Sequence, residues 1–160
     1  MLIKTPFTEI IDKKISKWMS RYAILLLRIS IGIVFFWFGF LKFFPGISPA
    51  EGIAVKTINI ITFDLFSSRT ILIILAIWET IIGIGLILGV YLREILLLLL
   101  LQMIGTFAPL FFFPSEVFTE IPYAPTLEGQ YIIKNIVIVA GAIVIGATVR
   151  GGRLNADADA

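Results

Sequence analysis

Three side chains able to carry charge or hydrogen bonds interrupt the apolar stretches of this chain. Arg28, Glu79 and Gln102 each lie within a different run of hydrophobic residues. An ionisable group inside a bilayer is costly and marks a functional site by default. At 1.5 Å per residue, they lie about 9, 16 and 12 Å above the cytoplasmic ends of their predicted spans. We therefore predict a buried polar cluster of Arg28, Glu79 and Gln102, with Glu79 as the partner of Arg28, that binds a ligand or relays a proton.

A second set of polar side chains lies near the opposite ends of the apolar runs. Lys42 comes at the end of the first run, whereas Glu128, Gln130, Lys134 and Asn135 surround the start of the last. These five residues form a predicted outer-mouth cluster. For Lys42 and Lys134 an equal alternative is that each long side chain reaches the membrane interface without a specific role.

Two tryptophans are candidates for an aromatic pocket that holds a quinone ring or a lipid. Trp37 lies in the run "FFWFGF", and Trp78 directly precedes Glu79. Aromatic residues in membrane spans are more often packing or interface residues. The pocket is therefore a hypothesis based on these two positions.

The composition indicates a membrane protein. The 160 residues are 59% hydrophobic and 15% charged, with a mean hydropathy of +1.02, whereas soluble domains have about 25% charged residues. The chain has no cysteine and no histidine. This excludes disulfides, thiol redox chemistry, His-ligated haem, zinc–thiolate sites and a Ser-His-Asp triad within the chain. We predict no metal site and find no self-contained catalytic constellation, so the sequence leaves open whether the chain is an enzyme.

Four apolar windows are long enough to cross a membrane, because a spanning helix needs about 20 mostly apolar residues. They are residues 22–44, 70–89, 95–113 and 131–148. Their apolar runs are continuous rather than alternating, which favours helices over strands. The short connection between the second and third windows requires an antiparallel pair, and Pro109 should bend the end of the third. The predicted fold is an all-α integral membrane antiparallel four-helix bundle over residues 22–149.

The distribution of lysine and arginine predicts the orientation of the bundle. Basic residues precede the first span, occupy the second loop at Arg93 and follow the fourth span, whereas the first and third loops contain only Lys56 and Arg69. Because basic loops stay in the cytoplasm, we expect both termini there, in a bacterial cytoplasmic (inner) membrane.

The segment before the first span has the pattern of an amphipathic helix. Its apolar residues recur at helical spacing opposite the lysines Lys13, Lys14 and Lys17; they are Phe7, Ile11, Ile15, Trp18 and Tyr22. Such a helix lies on an anionic membrane surface. We therefore predict an interfacial helix over residues 1–21, and favour a membrane anchor over a partner-binding segment.

Two shorter segments complete the predicted organisation. Ser48 and Glu51 have the spacing of a capping box, with Pro49 at the first helical position. This predicts a helix over residues 49–61 in the first outer loop. Residues 150–160 are small and polar, which predicts a disordered tail.

Several segments together resemble the DoxX-like small four-span membrane proteins, and in particular their YkgB-type branch. They are "LLRISIGIVFFWFGFLKFFPGISPAEG", "WETIIGIGLILG", "PTLEGQYIIKN" and "GATVRGG". The similarity covers about residues 22–153. The segment "PTLEGQYIIKN" is the one that points to the YkgB-type branch.

The resemblance implies a redox or oxidative-stress setting in the inner membrane. Some members are subunits of quinone-linked enzymes or assemble with oxidoreductases. Because this chain has no cysteine or histidine, it would need a bound quinone or a partner protein to move electrons. The leading hypothesis is therefore a quinone- or lipid-interacting subunit of a membrane redox system, with no cofactor in the chain itself.

Two other functions remain open from the sequence. A structural or assembly subunit would use its buried charges only to fix the helix register. A small-solute permease would need an oligomer, because four short helices leave little lumen. The expected partners are membrane lipids, a soluble or membrane oxidoreductase and further copies of the chain, with no nucleic acid.

Overall fold

The structure is a computed structural model that describes residues 6–48 and 50–154. Its elements, in chain order, are α1 (Pro6–Leu41), α2 (Glu51–Thr62), α3 (Ser68–Leu88), α4 (Leu92–Phe107), α5 (Pro109–Phe112), α6 (Pro114–Val117), β1 (Phe118–Glu120), β2 (Ala124–Pro125) and α7 (Leu127–Thr148). The two strands pair antiparallel as a small ribbon between α6 and α7.

Four long helices form the bundle. Helix α1 packs most extensively against α3, and the remaining neighbours are α3 with α4, α4 with α7 and α7 with α1. All four are long and apolar enough to cross a membrane, with α4 and α5 together making the third span. The predicted all-α membrane bundle is confirmed. We call the end that holds α2 and the β ribbon the distal end, and the opposite end the termini end.

Local sequence signals set several helix boundaries. The hydroxyls of Ser67 and Thr126 accept hydrogen bonds from the backbone N–H groups of Thr70 and Gly129, each at 3.2 Å, and so cap α3 and α7. Helix α3 ends at Gly89, whose φ of 73° is a left-handed conformation that favours glycine. Helix α4 ends at Phe107 and α5 begins at Pro109, which confirms the predicted interruption by proline.

The bundle core is apolar and closely packed. Ile82 and Leu86 of α3, Leu99 of α4 and Ile145 of α7 are almost completely buried and lie in one cluster. This cluster occupies the part of the bundle between the distal end and the termini end. It therefore separates polar groups at one end from those at the other.

Glycines bring the backbones of α1 and α3 unusually close. A methyl group at Gly83 would lie 2.6 Å from the Cα of Phe36, and one at Gly39 would lie 2.7 Å from the Cβ of Glu79. A methyl group at Gly32 would likewise meet the backbone nitrogen of Ile87 at 3.0 Å. Small residues allow such close contact between membrane helices. These three contacts fix the register of α1 against α3.

The predicted interfacial helix over residues 1–21 and the predicted first span join without a break, and the position of the N-terminal part on the membrane surface stays a prediction. Residues 6–41 form one continuous helix of 36 residues. Its N-terminal part does carry exposed apolar side chains, among them Ile11, Ile15 and Trp18. Residues 1–5 lie outside the described residues.

The predicted helix in the first outer loop is confirmed, whereas the predicted capping box is not what begins it. The helix begins at Glu51, and Ala50 occupies the N-cap position with a φ of 56° and no side-chain cap. The carboxylate of Glu51 accepts a hydrogen bond from the backbone N–H of Gly46 at 3.0 Å. Pro49 and the predicted disordered residues 155–160 lie outside the described residues.

Substituting Gly83 by alanine should destabilise the bundle, because the new methyl group would meet the backbone of α1. Overpacking of this kind costs about 1–3 kcal/mol. Gly105 in α4 is the matched control, since a methyl group there would meet no atom within 4 Å. Gly105→Ala should raise stability by up to ~1 kcal/mol through helix propensity. Thermal unfolding in detergent checks both, and a higher melting temperature for Gly83→Ala would contradict the close contact.

Candidate functional site

The register of α1 against α3 places Lys42 beside Glu79. The last turn of α1 crosses α3 where Gly39 leaves room for Glu79. The ammonium of Lys42 donates to Glu79 Oε2 at 2.6 Å and also lies 3.4 Å from the backbone oxygen of Phe38. The side chains of Lys42 and Glu79 are each only 11% exposed. They form a buried ion pair between the two most closely packed helices.

Gln102 of α4 completes this group. Its amide Nε2 donates to Glu79 Oε1 at 2.6 Å. Both oxygens of the Glu79 carboxylate therefore accept a hydrogen bond, one from a cation and one from an amide. Removing two charges from water costs several kcal/mol per ion, and extra hydrogen bonds of this kind offset part of that cost. We call Lys42, Glu79 and Gln102 the polar cluster.

The predicted pairing of Arg28 with Glu79 is wrong, whereas the predicted proximity of Gln102 to Glu79 is present. The guanidinium of Arg28 lies against Gly89 at the C-terminal end of α3. Glu79 is ten residues earlier on that helix, a separation of about 15 Å along the axis. Depth counted from predicted span ends cannot resolve the register of two helices. In this structure the register pairs Glu79 with Lys42.

The polar cluster adjoins a cavity of about 440 Å³ at the distal end of the bundle. Helices α1, α3, α4 and α7 form its walls, and α2 covers it through Ala50, Ile53, Ala54, Thr57 and Ile58. Phe35, Phe38 and Trp78 are among the apolar residues next to the cluster. We call this space the distal cavity. It is a mostly apolar chamber with charged and amide groups on part of its surface.

Three members of the predicted outer-mouth cluster, namely Lys42, Lys134 and Asn135, line the distal cavity. Lys134 and Asn135 do so from α7, and the amide of Asn135 donates to the backbone oxygen of Tyr131 at 2.9 Å. Glu128 and Gln130 are exposed and are not among the lining residues. Lys42 is paired with Glu79 rather than exposed at the mouth of the bundle. The structure thus divides the predicted cluster rather than assembling its five members.

Glu128 belongs to a different part of the distal end. It lines a second cavity of about 810 Å³ together with Lys56, Glu51 and Glu116. Lys56 of α2 and Glu116 of α6 form an ion pair there, with the ammonium 3.0 and 2.8 Å from the two carboxylate oxygens. This pair links α2, the cover of the distal cavity, to the segment that precedes α7.

The two tryptophans of the predicted aromatic pocket are separated. Trp78 is half-buried, lines the distal cavity and donates from its indole N–H to the backbone oxygen of Leu98 at 3.2 Å. Trp37 lies on the outside of α1 with 64% of its surface exposed. Of the two predicted pocket residues, Trp78 therefore lines the cavity and Trp37 does not.

Sequence reasoning missed two hydroxyl residues of the distal cavity. Thr57 of α2 and Thr106 of α4 line it, and their hydroxyls donate to the backbone oxygens of Ile53 and Gln102. Thr106 lies one helical turn beyond Gln102, which is a signal the sequence offered. Thr57 gave no such signal, because its place depends on how α2 folds over the bundle.

The polar cluster can form hydrogen bonds with an uncharged polar group. The cluster holds one cation and one anion in contact, so its net charge is zero. An ammonium has three N–H groups, and two of those of Lys42 point to Glu79 and Phe38. Among residues 6–48 and 50–154, no three acidic, cysteine or histidine side chains converge as a metal site would require. The distal cavity is mostly apolar, and its charged groups are Lys42, Glu79 and Lys134.

Removing one partner of the buried ion pair should cost more stability than removing both. Lys42→Met or Glu79→Leu leaves an unpaired buried charge, a loss of about 3–5 kcal/mol, whereas the double variant leaves none. The matched control is the pair Lys56→Met and Glu116→Leu, whose side chains are 55% and 45% exposed and whose loss should cost about 0–1 kcal/mol. A double-mutant cycle of unfolding in detergent tests this. Additive losses at Lys42 and Glu79 would contradict it.

Comparison with known proteins assigns a family. The family model described as DoxX matches residues 23–113, more than half of the chain. The matched range contains α2, α3, α4 and all three members of the polar cluster. No curated protein and no solved structure matches the chain. On the strength of the family model, this four-span membrane protein belongs to the DoxX family.

Proposed function

We propose that this DoxX-family protein is a membrane subunit that binds a quinone or a neutral lipid in its distal cavity, within a membrane redox or oxidative-stress system. The observation that carries the proposal is the polar cluster of Lys42, Glu79 and Gln102 at the edge of a mostly apolar cavity. Ligand sites typically combine apolar walls with a few well-placed polar groups. The segment "PTLEGQYIIKN" supports placement in the YkgB-type branch.

The size of the distal cavity supports a ring-sized ligand. Its volume of about 440 Å³ falls within the ~300–1,000 Å³ usual for small-molecule sites. A cavity of ~150 Å³ is enough for benzene. The distal cavity therefore offers space for a substituted ring and the first part of a tail. Trp78 and Phe35 supply flat apolar surface beside the polar cluster.

The hydrogen-bonding capacity of the cluster favours a neutral headgroup. Lys42 retains an N–H group that a quinone carbonyl oxygen could accept, since its other contacts are to Glu79 and Phe38. A phosphate-bearing headgroup would meet the carboxylate of Glu79, whose negative charge opposes the attraction of Lys42 and Lys134. An uncharged ring with carbonyl or hydroxyl oxygens meets no such repulsion. This is why a quinone is the preferred ligand.

The composition and charge distribution of the chain also bear on its redox partner and on its orientation in the membrane. The chain contains no cysteine or histidine, so electrons would reach a bound quinone from a soluble or membrane oxidoreductase partner. The basic residues at the termini end, such as Arg93, Arg150 and Arg153, support an orientation with both termini in the cytoplasm of a bacterium. Copies of the chain are additional candidate partners.

The buried ion pair also supports a second function, as a structural subunit. Lys42 and Glu79 join α1 to α3 and would fix their register without any ligand. A permease has less support, because the almost completely buried Ile82, Leu86 and Leu99 close the bundle beyond the polar cluster. A measurement of ligand binding distinguishes the quinone- or lipid-binding subunit from the structural subunit.

Removal of the Gln102 amide should weaken quinone binding. We expect the purified protein to bind ubiquinone-1 and to quench Trp78 fluorescence. We expect Gln102→Leu to weaken binding about tenfold, because the lost hydrogen bond to Glu79 Oε1, of a kind that contributes ~1.5–3 kcal/mol, holds the carboxylate that positions Lys42. Trp37→Phe, which changes an exposed residue outside the cavity, is the control and should retain full affinity. Native mass spectrometry of protein extracted gently from its own membrane should find a bound quinone.

Two results would contradict the quinone site. One is wild-type protein that neither retains a quinone nor binds ubiquinone-1. The other is Gln102→Leu with unchanged affinity. Either result, combined with a strong coupling between Lys42 and Glu79 in the stability cycle, would favour the structural subunit.

A further inference from the structure

Arg28 is a half-buried cation that the polar cluster leaves without a role. Its guanidinium lies against Gly89, and its Nε is buried without a hydrogen-bond partner. Among residues 6–48 and 50–154, no hydrogen bond or ion pair joins Arg28 to another side chain or backbone group. A buried donor without an acceptor is costly. Nε is covered by the protein itself, whereas the two Nη groups are not among the buried atoms, so an acceptor from outside the described chain can reach the guanidinium through Nη1 and Nη2.

The α3-facing stripe of α1 changes character at Arg28. Gly32 and Gly39 lie on this stripe and contact α3. Positions 14, 17, 21 and 28 continue the same stripe toward the N-terminus, because they are separated from these glycines by steps of three, four and seven residues. They are Lys14, Lys17, Arg21 and Arg28. The stripe thus carries glycines where α3 is present, and beyond it basic residues alternate with apolar ones such as Leu25 and Trp18.

The end of α3 explains the change. Helix α3 stops at Leu88 and the chain turns through Gly89 into α4, whereas α1 continues to Pro6. The side of α1 that α3 covers in the bundle is therefore uncovered beyond Arg28. Lys14, Lys17 and Arg21 are exposed there. This leaves a basic strip directly beneath the end of a membrane-spanning helix.

We propose that Arg28 and Arg21, which are seven residues and about 10 Å apart along α1, bind the phosphodiester headgroup of an anionic phospholipid, with Lys17 adding positive charge beyond them. The ends of spanning helices lie at the depth of the lipid headgroups, and basic pockets between such helices bind anionic lipids. A guanidinium presents two parallel N–H groups that match phosphate oxygens. The phosphate oxygens would accept hydrogen bonds from the accessible Nη groups of Arg28.

The surroundings of Arg28 fit a lipid rather than an isolated anion. The guanidinium occupies the space that a side chain at Gly89 would fill, so the turn holds Arg28 at the edge of the bundle. Leu25 and Leu26 are 42% and 49% exposed on the adjoining face of α1 and offer apolar surface to an acyl chain. Phosphate and acyl contacts are thus available within one helical turn of α1.

Lipid titration of the purified protein tests the site. We expect dioleoyl phosphatidylglycerol in mixed micelles to raise the melting temperature at about tenfold lower concentration than dioleoyl phosphatidylcholine. Arg28→Gln should bring the phosphatidylglycerol response close to that of phosphatidylcholine. Arg28→Lys should retain part of the preference, because an ammonium keeps the charge and loses the paired geometry. Arg69→Gln, a change at the distal end, is the control and should behave like wild type.

A second variant covers the case in which Arg28→Gln does not fold. The double variant Lys17→Gln, Arg21→Gln changes only exposed side chains beyond the end of α3 and should reduce the preference several-fold. Equal responses of wild type to the two lipids would overturn the proposal, as would an unchanged preference in both Arg28→Gln and the double variant. Displacement of phosphatidylglycerol by millimolar inorganic phosphate, with the same stabilisation, would instead assign a site for the free anion and overturn the lipid.

Discussion

The close contact between α1 and α3 determines most of what surrounds the candidate site. Gly32, Gly39 and Gly83 remove the side chains that would hold the two backbones apart, and the helices can then meet in one register only. That register places Lys42 at Glu79 and Arg28 at Gly89. The contacts of Lys42 at one end of the bundle and of Arg28 at the other are therefore a consequence of three glycines, which have no functional side chain.

The role of the buried ion pair depends on the groups next to it. Two opposite charges in an apolar bundle do not guarantee stability, because desolvation opposes their attraction. Gln102 provides the additional hydrogen bond to Glu79, and the distal cavity keeps the three groups next to open space. A pair that served only to fix the register would need no such space. The cavity is the observation on which our proposal of a bound ligand rests.

The sequence predicted the fold well because four long apolar runs admit few arrangements in a membrane. It also placed Gln102 near Glu79, since both lie near the middle of adjacent antiparallel helices. It assigned the wrong cation to Glu79 because depths of Arg28 and Lys42 were counted from uncertain span ends, whereas the register depends on which glycine meets which backbone. The cover formed by α2, and with it Thr57, depends on tertiary contacts that no local pattern specifies.

The continuous course of α1 has a mechanical consequence. With 36 residues, the helix is about 54 Å long, and the same stiff rod carries Arg28 near its middle and supports Lys42 at its end. A sliding motion of one residue along α3 would move Lys42 by about 1.5 Å relative to Glu79, and Arg28 by the same amount relative to Gly89. Any force on the N-terminal half is thus transmitted over the full thickness of the bundle, without a joint in between.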